Sequence, residues 1–326
     1  MTLLRLTPLA LSRSRFALSP FAETLGAMKV LRADHPDPWT ARWHAHHHAA
    51  FRASLDADPF AKGLVALISS TKWLPGFATV PPAGGMLTAL ADELTHLPGV
   101  PDQVVRAELR DSLAHSWEQH DLGWLTGRGW GARVAELFDS VWRNHVAPDW
   151  PRRRALLERD VTYRAGLLAA YGWPRALERM SRHSAWVGAD AIRFSHQAFP
   201  DRLVGEEGML FVPVCLTRGT WLCEADTDRL ALVYPARGVA APSGPPGSDE
   251  ALGRLIGIGR AAVLRELQRP ATTSELAAHL GCSLGTIGGH LSVLRNADLV
   301  TGTRVGRRVV YRRTDTGDRL AGQREA

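Results

Sequence analysis

Along the first 200 residues the apolar positions recur at helical spacing. Ser19-Pro20 sets a hydroxyl cap before a proline that has no N–H to lose, Glu23 falls in the first turn, and Phe21, Leu25 and Met28 follow on one face. The spacing predicts a second helix after Pro38, through Trp39, Trp43 and Phe51, and a short buried helix over 61–70. A break at 75–85 follows, then helices at roughly 86–96, 101–116, 131–145, 151–170 and 173–187. The arginine triplet 152–154, near a helix start where the dipole disfavours cations, reads as a solvated face. At about residue 208 the texture changes. GMLFVPVCLT, TWLCEA and DRLALVYPAR are rich in Val, Leu, Phe and Tyr between turn residues and predict short strands. AAPSGPPGSDE, from Ala240 to Glu250, has the composition of a linker.

Beyond it, Leu252, Leu255, Ile256, Ala262, Val263 and Leu267 predict a helix that ends before Pro270. Thr272-Thr273-Ser274-Glu275 fits a capping box, with Thr272 as N-cap and Glu275 three residues into the helix SELAAHL, which Gly281 closes. Ser283 then caps a third helix, LGTIGGHLSVLRNADL. On it Ile287, Leu291 and Leu294 make a packing face, and Thr286, His290 and Val293 share another. Two helices joined by a glycine-containing turn predict a helix-turn-helix, whose second helix can enter a major groove. Residues 300–303 and 308–313 read as two strands around Arg304-Val305-Gly306-Arg307, with Val309 and Tyr311 on one inward face. Arg304, Arg307, Arg308, Arg312 and Arg313 crowd that hairpin, completing a winged helix. The expected fold is mainly α with small β elements. An α-helical N-terminal domain over 1–240, with a short β portion near its end, precedes a linker over 241–250 and a C-terminal winged helix over 251–326.

Charge follows the same division. The chain of 326 residues carries a net +6, and residues 251–326 hold 12 arginines against 6 acids, while the first 250 residues balance. Phosphate attraction needs local charge, so a basic module on a neutral body fits nucleic-acid binding. Three cysteines, Cys215, Cys223 and Cys282, make no disulfide framework and point to a reducing compartment. No apolar run approaches the ~18–20 residues of a membrane span. Arg5, Arg13 and Arg15 interrupt the N-terminus, so no signal peptide is expected and the cytoplasm is the expected location. All 11 Trp precede residue 222, which supplies core material for the body or the lining of a small apolar ligand site.

TTSELAAHLGCSLGTIGGHLSVLRNADLVTGTRVGRRVVYRR resembles the winged-helix domain of ArsR/SmtB-type transcription regulators, most densely over 273–280, 286–299 and 306–311. LSPFAETLGAMKVLR and LVYPARGVA resemble a subgroup of these regulators, of actinobacterial type, with a long N-terminal domain of unknown function. The resemblance implies a transcription regulator that represses, is not an enzyme, and needs no cofactor. It implies a homodimer on double-stranded DNA that reads an inverted repeat with half-sites about 10 bp apart, and leaves room for a small-molecule effector. The expected contacts are Ser283, Thr286, Gly289, His290 and Arg295 on the third helix, with Arg304, Arg307 and Arg308 on the wing. Two departures stand out. Leu284, Gly285, Gly288 and Gly289 occupy positions where the family presents small polar residues, so base readout by side chains is thin, and His290 either contacts DNA or packs. Where family members hold metals, this chain has Thr272 and Ser274 and, after Tyr311, no His or Cys, so no metal is expected at those places; Cys282 reads as a buried turn residue.

Other patterns compete. His44, His47 and His48 share a helix face and could hold a metal or form a surface run. Gly257-Ile258-Gly259-Arg260-Ala261-Ala262 matches a dinucleotide fingerprint in spelling but lacks the strand that must precede one, as does GRGWGA at 127–132. The alternative they leave is an enzyme or metal-binding N-terminal domain with an accessory DNA-binding module.

Overall fold

The computed structural model describes residues 2–178, 180, 185–195, 201–217, 219–224, 229–237, 252–253, 255–267, 270–305 and 308–321. Two compact units emerge: Met1–Trp150 with Asp160–Ala240, and Pro151–Arg159 with Ala241–Ala326. The expected linker over 241–250 lies outside the described residues. One segment departs from the expected 1–240 domain. Pro151–Arg159 groups with the second unit, where Arg159 hydrogen-bonds Glu266.

In the first unit, β1 (Thr2–Leu6), α1 (Pro8–Arg13) and β2 (Arg15–Phe16) lead into α2 (Pro20–Arg32). The expected cap is in place: Ser19 Oγ accepts from Ala22 N at 2.9 Å. Helices α3 (Ala41–Ala57), α4 (Pro59–Ser69), α5 (Leu90–Leu94), α6 (Asp102–Ala114), α7 (Trp130–Val141), α8 (Trp150–Tyr171) and α9 (Trp173–Ala176) follow, with a π-helical turn over Trp142–Val146 after α7. Then come β3 (Ala185–Val187), β4 (Ala191–Ser195), β5 (Arg202–Val204), β6 (Met209–Val214), β7 (Trp221–Glu224) and β8 (Leu230–Pro235).

The apolar runs expected to be strands form a sheet of order β2-β6-β8-β7, parallel except for β7. Alternate residues serve two cores. Val212, Trp221, Cys223 and Val233 join the helical core built on Phe21, Leu25 and Met28, while Phe211, Leu232 and Tyr234 join Leu4, Leu6 and Ile192. Cover on both faces explains why these strands read as continuous apolar runs rather than alternating ones. A second sheet has the order β3-β4-β1-β5.

Two expectations are corrected. Among the described residues of the helix expected over 173–187, Trp173–Ala176 form a single turn, α9, and Ala185–Val187 form β3, which pairs with β4. The arginine triplet is not a uniformly solvated face: Arg153 is only 9% exposed, and Arg154 Nε meets Glu158 at 2.7 Å.

In the second unit, α10 (Ile258–Glu266) starts after Gly257, whose φ of 86° breaks the longer helix expected from 252. β9 (Ala271–Thr272), α11 (Thr273–Leu280), α12 (Leu284–Asn296), β10 (Val300–Val305), β11 (Arg308–Arg313) and α13 (Asp315–Leu320) complete it. Val263, Leu264, Leu276, Ile287, Leu291 and Leu294 form its core, so the expected packing face of α12 points inward. Strands β10 and β11 pair antiparallel from Val300↔Arg313 to Val305↔Arg308, and β9 adds to β11. Helix, turn, helix and hairpin make the winged helix that the residue pattern predicts.

Candidate nucleic-acid interface

Local chemistry sets up the helix-turn-helix. Thr272 Oγ1 accepts from Glu275 N at 3.3 Å and Glu275 Oε2 accepts from Thr272 N at 2.7 Å, so both halves of the capping box form. Gly281 ends α11 at φ 64°, in the left-handed region where a side chain is disfavoured. Ser283 Oγ accepts from Thr286 N at 3.1 Å and lies 2.9 Å from Thr286 Oγ1, which starts α12. Cys282, expected to be buried, is exposed in this turn, as are its neighbours from Gly281 to Thr286.

Of the expected contacts on this helix, Ser283, Thr286, Gly289 and Arg295 are exposed. His290 is half-buried, its ring seated over Gly259 of α10, where a Cβ would come within 2.6 Å of Nε2. That close approach also accounts for the second glycine of the Gly257–Gly259 pair. Leu284 and Val293, at 58% and 45% exposure, are apolar side chains turned to solvent on α12. On the wing Arg304, Arg308 and Arg312 are exposed, and Arg307 lies outside the described residues.

Arg313 does different work from its neighbours. Its side chain is 5% exposed, its Nε and Nη2 donate to the Leu264 and Arg265 carbonyls at 2.6 Å each, and Nη1 meets Asp318 at 3.3 Å. These bonds fall on carbonyls in the last turn of α10. Burial lowers the Arg313 pKa, which Asp318 opposes. The same helix end carries Glu266, whose Oε2 lies 2.5 Å from His279 Nδ1 and 3.2 Å from Arg159 Nη1. Burial pulls the Glu266 carboxyl upward, but His279 and Arg159 outweigh it and hold it below its ordinary value. Residue spacing gave no warning of the Arg159 contact, which joins positions 107 apart.

The competing patterns in the first unit have structural partners. His44 Nε2 and His48 Nδ1 each lie 2.8 Å from carbonyls at the end of α2, those of Ala33 and Leu31. His47 Nδ1 lies 3.2 Å from His145 Nδ1 on the π turn, and burial, then His47, lowers the His145 pKa to about 4. The run is therefore divided between two partners. Among the described residues no group of three or more His, Cys, Asp or Glu is placed to hold a metal ion. In GRGWGA, the Gly129 and Trp130 N–H groups donate to the Asp102 carboxylate at 2.9 and 2.8 Å, so an acid already sits at the start of α7.

Residues 260–303, from α10 into the first wing strand, match the family described as a helix-turn-helix domain. No curated protein and no solved structure matches the chain. The match spans a small part of the molecule and carries its meaning there: the second unit contains a helix-turn-helix domain, an architecture that binds DNA. No helix among the described residues is long and apolar enough to cross a membrane.

Proposed function

We propose that the chain is a transcription regulator of ArsR-like type, a homodimer that represses by binding duplex DNA through its C-terminal winged helix. The observation that carries this reading is an exposed α12 beside a hairpin bearing exposed Arg304, Arg308 and Arg312, in the module that holds all the excess positive charge. Helix α12 lies in the major groove, and the wing arginines neutralise phosphates. The first unit supplies dimerisation or effector sensing; its aromatic-rich cores favour a small apolar effector over a charged one.

Selection from a random duplex pool with the full chain tests the reading. Wild-type protein should enrich an inverted repeat, with a dimer on each site. Arg304→Ala with Arg308→Ala should weaken binding to every sequence alike and lower the salt slope by about 1 per arginine. No enrichment, or a double variant with wild-type affinity and slope, overturns the assignment.

A further inference from the structure

Helix α12 offers DNA an unusual surface. No Arg, Lys, Asn, Gln, Asp or Glu occurs between Leu284 and Leu294. The polar groups there are mostly engaged: Thr286 Oγ1 lies 2.9 Å from the cap Ser283 Oγ, and the His290 ring packs over Gly259. Ser292 is left as an outward hydroxyl. The outermost line of the helix runs through Gly285 and Gly289; nothing lies within 4 Å of a Cβ at Gly289, and only Ser283 Oγ, at 3.8 Å, at Gly285. With no side chain at either position, the helix backbone can approach closely. Apart from the Ser292 hydroxyl, the groups that then meet the groove between Leu284 and Leu294 are apolar: Val293 and the Thr286 methyl along one flank, and Leu284 at the first turn.

Hydrogen-bond patterns in the major groove need donors and acceptors to read them. The base feature there that an apolar side chain reads is the C5 methyl of thymine. We infer that α12 selects its site by contact with thymine methyl groups, with Val293 as the principal specificity-determining residue, Thr286 on the same flank, and Leu284 reaching a separate position from the first turn. This rests on the reading of the second unit as a DNA-binding winged helix. Arginine charge on the wing then anchors the complex, and methyl contacts set the register.

The test uses the full chain and the duplex it enriches from a random pool. Each thymine is replaced in turn by uracil, which removes the methyl and leaves every hydrogen-bonding group in place. At one or two positions per half-site, binding should weaken about threefold to fivefold, the effect of one buried methyl. Placing 5-methylcytosine at such a position should bind more tightly than cytosine there. Val293→Ser should bind the thymine and uracil duplexes equally at the position it contacts. Uracil tolerated at every position overturns the inference, and a thymine preference that survives in Val293→Ser overturns the assignment to Val293. Two other results are distinct: a pool retained without enrichment overturns site selection by α12, and a pool not retained at all removes the DNA-binding reading itself.

Discussion

Glycines at 285 and 289 should exert two opposed effects, and replacing both by alanine separates them. Alanine is favoured over glycine by about 0.8–1.0 kcal/mol in a helix interior. Neither site offsets that gain. A Cβ meets nothing within 4 Å at Gly289 and makes an ordinary 3.8 Å contact at Gly285, and neither glycine has a positive φ. The double variant should therefore stabilise the second unit by about 1–2 kcal/mol, with Gly285 contributing the smaller part because it lies in the first turn of α12. Tryptophan fluorescence is blind to this change, because all 11 Trp precede residue 222. Amide exchange over Leu284–Asn296 reads it directly, as roughly 5–30-fold slower exchange where amides open with the whole unit. DNA affinity should move the other way. Two methyl groups on the outermost line of the helix hold the backbone off the groove, and misfits of this size cost about 1–3 kcal/mol, so binding should weaken by roughly tenfold. Gly288→Ala, which also meets nothing within 4 Å but lies off that line, should stabilise without weakening binding. A double variant that gains stability and binds as tightly as wild type would refute close backbone approach as the reason for these glycines.

Three further substitutions probe the rest of the molecule. Arg313→Ala should destabilise the second unit by about 1.5–3 kcal/mol, because it removes charged hydrogen bonds from the end of α10. Amide exchange across the second unit should register that loss, while Arg308→Ala should leave exchange unchanged and lower the salt slope of DNA binding by about 1. His145, 6% exposed, has a pKa lowered to about 4. Its contribution to stability is present above its unfolded value near 6.5 and is lost as pH falls toward 4, by up to about 3 kcal/mol. Denaturation followed by tryptophan fluorescence should show the first unit weakening over that interval, and His145→Gln should flatten the slope; an unchanged slope would mean that other groups carry it.

Most of the winged helix was legible because its signals are local. Thr272 with Glu275, Gly281 and Ser283 each act within a few residues, and the inward triplet Ile287, Leu291 and Leu294 follows helical period. The place of Arg313 was legible too, though easily misread. Strand residues alternate, so the face that carries Tyr311 inward carries Arg313 inward with it, and the basic hairpin is poorer in exposed charge than its letters suggest. His290 could not be placed from the sequence, because its fate depends on a glycine one helix away. The first unit was harder. Leu4-Arg5-Leu6 alternates as a strand should, but β1 pairs with β4 nearly 190 residues later, and no local pattern names that partner. The histidines at 44 and 48 look like metal ligands until α2 is seen to end beside them with two carbonyls to satisfy.

In the proposed function the second unit binds duplex DNA by phosphate neutralisation with its wing. Equilibrium binding of the full chain to a labelled duplex across salt concentration tests it most directly. Log affinity should fall linearly with log salt, with a slope that drops by about 2 in the Arg304→Ala, Arg308→Ala variant. An affinity for duplex DNA that does not change with salt, or no binding even at low ionic strength, would contradict it.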